Sequence, residues 1–373
     1  MNYTEEELKT LIAGIGKPDA RAMDEARKRQ AELAKPPGSL GRLEWLGIRL
    51  AGITGRVHNT LEKRDLLVFC ADNGVVEEGV SSAPKSVTLA QTVNLARGKT
   101  GGAVLARRFG CRLRVCDVGV DAEIREPGVI PRKIARGTRN LAKEPAMTRE
   151  EAVRAILTGA ELVRESVRDG AKAVGIGEMG IGNTTTSSVV LSVLTGLDAE
   201  LLTGRGGGLT DAGFEKKISV IREAIARMKP DPDDVPDVLS KVGGLDLCAM
   251  TGAFLGAAHE RIPAVIDGFI SVVAALCAFR MCPDAGAYMI PSHASREIGY
   301  KIASEELGLP PLFDLEMRLG EGSGVPVAMT ILDAACAVMN EMATFPEAGI
   351  DDGYLDPIRA DPRSLGEETE GGR

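Results

Sequence analysis

The chain has 373 residues, of which 44% are hydrophobic and only 3% aromatic, so it can bury a large core but offers few stacking surfaces for single-stranded nucleic acid. Lys and Arg number 45 against 53 for Asp and Glu, a formal net charge of −8, and this balance argues against nucleic acid and anionic membranes as partners. The acidic start does not resemble a secretory signal, and the longest apolar run, 269–279, is too short to cross a bilayer, so we expect a cytoplasmic protein without a membrane span.

The first predicted element is an amphipathic helix, because Thr4 and Glu7 have the spacing of a capping box and apolar residues follow at helical spacing. A second helix is predicted to end near Leu33. Two prolines and two glycines in 35–41 then break the helical pattern. We therefore expect a helical arm over residues 1–35.

The main domain is expected to span 36–310 and to alternate short apolar strands with helices. This alternation predicts an α/β fold with a doubly wound, mostly parallel sheet and helices on both faces. Residues 311–373 are expected to contain a glycine-flanked glutamate loop, a helix, and a tail that is loosely ordered from about residue 351. The predicted strands are 66–71, 113–118, 171–176, 263–266 and 287–290.

The most informative segment is 175–186, GIGEMGIGNTTT, which we place between a strand and a helix. Its glycines allow a close backbone approach, and the helix start offers N–H groups and three hydroxyls to a phosphate. The alternative is a tight turn whose threonines only cap the helix.

The same segment contains G-x-G-x-x-G, and Asp198 lies near the distance expected for a dinucleotide-binding fold. A helix predicted over 184–194 leaves no room for the second strand that such a unit needs, so we rank a dinucleotide-dependent oxidoreductase lower. A catalytically silent nucleotide-binding protein is a third possibility.

Two charged residues are candidate site residues. Lys217 lies at the edge of the apolar stripe of a helix that begins near Thr210, where it can either reach an anionic ligand or lie at the surface. Glu321 is flanked by glycines in 318–324, which suits a general base, although it could instead be a helix N-terminal charge. The seven scattered cysteines, without a C-x-x-C pair, indicate buried thiols and no metal site.

Seven motifs follow one another along most of the chain: 35–41 (KPPGSLG), 71–75 (ADNGV), 177–185 (GEMGIGNTT), 240–244 (SKVGG), 267–269 (DGF), 290–293 (IPSH) and 318–324 (RLGEGSG). Taken together and in this order, they resemble the nicotinate-nucleotide:dimethylbenzimidazole phosphoribosyltransferase family of the cobalamin lower-ligand pathway. One departure is Asn73, where many members of that family have histidine, so no proton-transfer role is expected there.

The resemblance implies a glycosyltransferase that moves phosphoribose from nicotinate mononucleotide to 5,6-dimethylbenzimidazole or a related base, with inversion at C1′ and release of nicotinate. It implies a homodimer with a Rossmann-like larger domain and a smaller helical domain built from N- and C-terminal segments. No cofactor or metal is expected, because nicotinate leaves without a pyrophosphate to neutralise. The accepted base is left open.

The resemblance also implies the site residues. Glu321 is the expected catalytic base, and the family's other site glutamate and lysine correspond to Glu178 and Lys217. A serine near the leaving nicotinate corresponds to Ser295. The further expected substrate contacts are Gln91, Gly180, Gly182, Asn183, Thr184, Ser323 and Gly324.

Overall fold

The centre of the fold is a parallel β-sheet in a computed structural model that describes residues 3–206 and 208–359. Its strands are β1 (Arg64–Ala71), β2 (Arg112–Gly119), β3 (Val129–Pro131), β4 (Ala173–Met179), β5 (Ala264–Ile266) and β6 (Met289–Pro291). They lie in the order β3-β2-β1-β4-β5-β6, and each neighbouring pair is parallel. The predicted α/β fold with a doubly wound parallel sheet is therefore confirmed.

Helices lie between consecutive strands, as is usual for parallel pairing, except between β2 and β3, where residues 120–128 contain no helix. They are α1 (Glu5–Ala13), α2 (Ala20–Glu32), α3 (Arg42–Thr54), α4 (Ser86–Ala96), α5 (Gly101–Arg108), α6 (Arg149–Arg168), α7 (Asn183–Thr195), α8 (Ala199–Leu202), α9 (Asp211–Met228), α10 (Val235–Val242), α11 (Leu245–His259), α12 (Phe269–Met281), α13 (Ile298–Leu307), α14 (Val325–Glu341) and α15 (Asp356–Arg359).

The five strands predicted from sequence coincide with β1, β2, β4, β5 and β6 to within a few residues. β3 was not predicted, because it has only three residues, ends in a proline and lies at the sheet edge, where propensity signals are weak. The capping box at Thr4 and Glu7 is confirmed at the start of α1.

The glycine-rich segment differs from the expected loop, because β4 extends through Met179 and contains Gly175 and Gly177. A Cβ at Gly175 would lie 2.0 Å from Val325 Cγ1, and one at Gly177 would lie 2.5 Å from the amide nitrogen of Gly322. These two glycines therefore make room for the 320s segment rather than for a ligand. Only the part from Gly180 onward forms the turn.

The chain divides into two compact units. The larger contains Glu62–Ala328 together with the chain up to Lys17, and the smaller contains Pro18–Leu61 together with the chain from Met329. The expected divisions at 35/36 and 310/311 do not coincide with these units, because α1 packs on α6 and α11 of the larger unit, whereas α2 packs on α3.

The end of the described chain contains the short helix α15 and, before it, a 3-10 turn at Gly353–Leu355 in which Leu355 is buried. The rest of the tail that we expected to be loosely ordered, 360–373, lies outside the described residues. No helix in the described parts of the chain combines the length and apolar character needed to cross a membrane.

Candidate active site

A cleft of about 250 Å³ lies in the larger unit, at the edge of the sheet where the strands end. The strand order reverses between β1 and β4, which is where doubly wound sheets bind ligands. The cleft is lined by segments that follow several strands: 81–83 after β1, 180–184 after β4, 267–271 after β5, and His293 and Ser295 after β6.

The turn after β4 supplies one wall of the cleft. Gly182 has a φ of 93°, a left-handed conformation that glycine adopts without strain, and α7 begins at the next residue. Of the three threonines at this helix start, Thr184 lines the cleft, whereas Thr185 and Thr186 are fully buried away from solvent. The expected set of three hydroxyls is thus reduced to one.

Glu178 lies near the end of β4 and is 7% exposed. The side-chain amide of Asn183 donates hydrogen bonds to Glu178 Oε2 and to Oδ2 of Asp246, the latter at 3.1 Å. Burial, followed by the nearby negative charge of Asp246, raises the pKa of Glu178 to about 8. A pKa above neutrality favours the protonated form of Glu178 at neutral pH.

Glu321 lies in a loop with an unusual backbone. Gly320, Glu321 and Gly322 have φ values of 85°, 60° and 69°, three consecutive left-handed residues. A non-glycine residue in this region is uncommon and is often found at functional sites. The loop passes close to the other glutamate, since a Cβ at Gly320 would lie 2.5 Å from Glu178 Oε1.

The Glu321 side chain is 4% exposed and lines the cleft. Its Oε1 accepts a hydrogen bond from Gln91 Nε2 at 3.4 Å, and its Oε2 accepts one from the backbone N–H of Gly102 at 2.9 Å. Glu321 does not belong to the first turn of a long helix, because α14 begins only at Val325. The carboxylate is thus enclosed and held at both oxygens.

Lys217 is fully buried, so the surface position that its helix phase also allowed is wrong. Its Nζ donates to Thr184 Oγ1 at 3.0 Å and to the Gly204 carbonyl at 3.1 Å. Burial lowers the pKa of Lys217 to about 8, while the negative charge of Glu297 acts in the opposite direction. The ammonium group is therefore directed at the Thr184 end of the cleft, beside Gly206.

Asp267 connects the floor of the cleft to the glutamate loop. Its Oδ1 accepts a hydrogen bond from the Gly324 N–H at 2.7 Å and lies 3.9 Å from His293 Nδ1. Burial raises the pKa of Asp267. His293 also contacts Ser292, with the histidine Nδ1 and the serine Oγ 3.1 Å apart. Its ring is therefore held in place in the floor of the cleft.

Eight of the expected site residues line this one cleft, and Lys217 reaches it through Thr184. Ser323 and Gly324 do not line it: Ser323 is 1% exposed, and a Cβ at Gly324 would lie 2.1 Å from His293 Nδ1. These two residues belong to the buried part of the loop that carries Glu321. The lining residues are Gln91, Glu178, Gly180, Gly182, Asn183, Thr184, Ser295 and Glu321.

Sequence reasoning missed Asp246 and Gly102. Asp246 is linked to Glu178 through the side-chain amide of Asn183, and Gly102 contacts Glu321 directly. Asp246 is the only charged side chain before the last residue of α11, whose first fourteen residues are all buried, and that isolation was an available signal. Gly102 gave no signal, because nothing in the sequence places the start of α5 beside residue 321.

The dinucleotide alternative is not supported by the surroundings of Asp198. This residue caps α8 and forms an ion pair with Arg222, so it does not end a strand. The hydrogen bond from Arg222 lowers the pKa of Asp198 to about 2. Within residues 3–206 and 208–359, no three His, Cys, Asp or Glu side chains are placed to hold a metal ion.

Comparisons with known proteins show the family to which this chain belongs. A family model described as Phosphoribosyltransferase matches residues 15–350. A protein of Clostridium perfringens named nicotinate-nucleotide–dimethylbenzimidazole phosphoribosyltransferase is 51% identical over 352 residues, which cover 94% of this chain and 98% of that protein. A protein of the same name from Ruminiclostridium cellulolyticum is 52% identical over 340 residues, which cover 91% of this chain and 97% of that protein.

The fold agrees with a solved structure. The crystal structure of CobT from Thermus thermophilus matches with a TM-score of 0.86 at 41% identity, covering 89% of this chain and all of that chain. The family model spans far more than half of the sequence, and the two named relatives are similar over nearly their whole length. The chain therefore belongs to the phosphoribosyltransferase family that includes these proteins.

Proposed function

We propose that this protein transfers phosphoribose from nicotinate mononucleotide to 5,6-dimethylbenzimidazole or a related azole base, the reaction in the names of its relatives. The observation that carries the proposal is that Glu321 and the 180–184 turn line a single cleft. An enclosed carboxylate beside a helix start is the pairing that this reaction needs: one group accepts a proton, and the other holds a phosphate.

In the proposed reaction one ring nitrogen of the base attacks C1′ of the ribose. The bond from C1′ to the nicotinate nitrogen breaks, and its electron pair stays with nicotinate. The other ring nitrogen of the base loses its proton to Glu321, which later releases it to water. Attack on the face opposite to the leaving group inverts C1′, so the product is the α-ribotide.

Glu178 has a separate role in this proposal. The reacting sugar and the pyridinium ring of the mononucleotide carry positive charge, and a nearby positive charge favours the ionised form of a carboxyl group. Glu178 would therefore lose its proton as the substrate binds and stabilise the charge that develops at C1′. Its hydrogen bond from Asn183 fixes the position of the carboxylate.

The phosphate is proposed to bind between the start of α7 and Lys217, where Thr184 supplies a hydroxyl. An anion there would offset the cost of burying the ammonium group. Arg318 lines the cleft as well as a neighbouring depression of about 600 Å³, and it supplies a second positive charge near Gly206. Ser295 is proposed to face the leaving nicotinate.

The direct test is to incubate the protein with nicotinate mononucleotide and dimethylbenzimidazole and to follow nicotinate by chromatography. Release that requires both substrates supports the proposal, and its absence contradicts it. NMR of the product distinguishes the α- from the β-ribotide, and a β product would contradict inversion. Competition among benzimidazoles, purines and phenols identifies the preferred acceptor. Light scattering tests the proposed homodimer.

A further inference from the structure

The start of α5 meets the Glu321 carboxylate. Thr100 caps this helix, and its side chain accepts a hydrogen bond from the Ala103 N–H. The N–H of Gly102 has no carbonyl partner within the first turn of the helix and donates instead to Glu321 Oε2 at 2.9 Å. The positive end of a helix and a backbone donor therefore act on the same carboxylate oxygen.

The contact is too close to admit a side chain at Gly102. A Cβ there would lie 2.3 Å from the backbone oxygen of Glu321 and 2.9 Å from its Cβ. The φ of Gly102 lies outside the left-handed region, so glycine is not needed for the conformation of α5. Glycine is needed because the backbone of residue 321 lies directly against the helix.

The second oxygen of the carboxylate is held from another helix. Gln91, on α4, donates from Nε2 to Glu321 Oε1 at 3.4 Å. The amide of Gln91 is itself oriented, because its Oε1 accepts a hydrogen bond from Asn94 Nδ2 at 3.1 Å. Glu321 is therefore fixed at both oxygens and at its left-handed backbone.

We propose that Gly102 is a positioning residue for the proton-accepting glutamate, acting with Gln91 to hold the Glu321 carboxylate where it meets the azole N–H. This inference rests on the function proposed above and adds a residue that does not itself touch the substrate. A displacement of about 1 Å at a reacting group can reduce a rate by about 100-fold, so the contact has a measurable consequence.

The chain offers a matched pair of substitutions at adjacent positions of the same helix turn. Gly102→Ala collides with the backbone of Glu321. A Cβ at Gly101 meets the end of the exposed Leu319 side chain at 2.6 Å and lies at an ordinary van der Waals distance, 3.7 Å, from Glu321 Oε2. Both changes replace glycine by a better helix former. We expect Gly102→Ala to lower kcat about 100-fold and Gly101→Ala to keep it within about twofold.

Comparing the effect of the substitution on kcat with its effect on KM distinguishes a positioning role from a general loss of structure. We expect Gly102→Ala to leave the KM of both substrates within about threefold, because the substrate contacts are retained. In a Glu321→Gln background, Gly102→Ala should cause no further loss, since its effect passes through the carboxylate. A loss of the same size in both backgrounds, or a normal kcat in folded Gly102→Ala protein, overturns the inference.

Gln91→Leu provides a second route should Gly102→Ala fail to fold, since it removes the donor and keeps the bulk. We expect about a tenfold loss in kcat that vanishes in the Glu321→Gln background. A rise in the KM of the base that persists in that background would make Gln91 a base contact and overturn its positioning role. If the unmodified protein releases no nicotinate, the proposed function fails and this inference with it; a normal Gly102→Ala enzyme removes the inference alone.

Discussion

Glu178 and Asp246 share the side-chain amide of one residue, although they lie on different elements, β4 and α11. Asn183 donates one hydrogen bond to each carboxyl group, and Asp246 is fully buried. Burial is the largest cause that raises the pKa of both groups, to about 8 for Glu178 and about 6 for Asp246. Two carboxylates this close resist ionising together, so one proton stays with the pair at neutral pH.

The charge of Asp246 should therefore control when Glu178 ionises. Glu178 is protonated below a pH of about 8 and ionised above it, because its pKa is raised to about 8. The other charged groups that face it are Asp267 and Glu321, and both act in the same direction. If the ionised form meets the pyridinium ring and the reacting sugar of the mononucleotide, kcat/KM for the mononucleotide rises with pH toward this value.

Asp246→Asn removes one negative charge and should lower the pKa of Glu178, so the rising limb of kcat/KM moves to lower pH by about one unit. Asp211→Asn, an exposed change at the start of α9, is the control and should leave the limb in place. The position of the limb is the readout, since loss of a buried hydrogen bond can also lower the plateau. An unshifted limb in folded Asp246→Asn protein would contradict the coupling.

Part of this arrangement could be predicted from sequence, because it depends on local rules. A capping box and apolar periodicity predicted α1, and short apolar runs predicted the strands. The family motifs contain most of the predicted site residues that line the cleft. Each of these signals lies within a short window of the chain.

The remaining features depend on contacts between distant segments. Gly175 and Gly177 were expected in a phosphate loop, yet they lie in β4, where residues from the 320s pack closely against them. Asn183 and Asp246 are 63 residues apart, and Gly102 and Glu321 are 219 apart. Glycine occurs both where a turn needs its conformational freedom and where two backbones pack closely. The sequence pattern alone therefore could not separate the two uses.

Glu321→Gln should lower kcat by about 10³-fold, because the amide keeps the shape and an acceptor for the Gly102 N–H but cannot take up the azole proton. The KM of each substrate should stay within about threefold. Glu316 offers a control, since it also has a positive φ but is exposed and paired with Arg296. Steady-state rates for Glu321→Gln equal to those of Glu316→Gln would remove Glu321 from the mechanism.

Lys217→Met should raise the KM of nicotinate mononucleotide about tenfold or more and leave the KM of the base nearly unchanged. Methionine keeps the apolar stem but loses the charge that is proposed to contact the phosphate. Lys216→Met is the adjacent control, because Lys216 is exposed on the same helix. Initial rates with each substrate varied in turn decide the matter, and an equal rise in both KM values would argue against a phosphate contact.

The packing beneath the site leads to a prediction on stability. α6 and α11 cross with their backbones in close contact: a Cβ at Gly159 would lie 1.8 Å from the Ala249 carbonyl oxygen, and one at Gly252 would lie 1.7 Å from that of Ile156. Asp246 lies at the start of α11, so this crossing also supports the carboxylate pair.

Gly252→Ala should lower the free energy of unfolding by about 3 kcal/mol or more, because the clash is with backbone and one of two buried helices must move. Gly213→Ala is the control, since the three nearest atoms to its Cβ would be side-chain atoms: Leu209 Cδ2 at 3.2 Å, Thr210 Oγ1 at 3.4 Å and Leu209 Cβ at 3.6 Å. Its better helix propensity should raise stability by up to about 1 kcal/mol. Denaturant unfolding of the two variants measures both effects, and equal stability would mean that α6 and α11 are not in contact through their backbones.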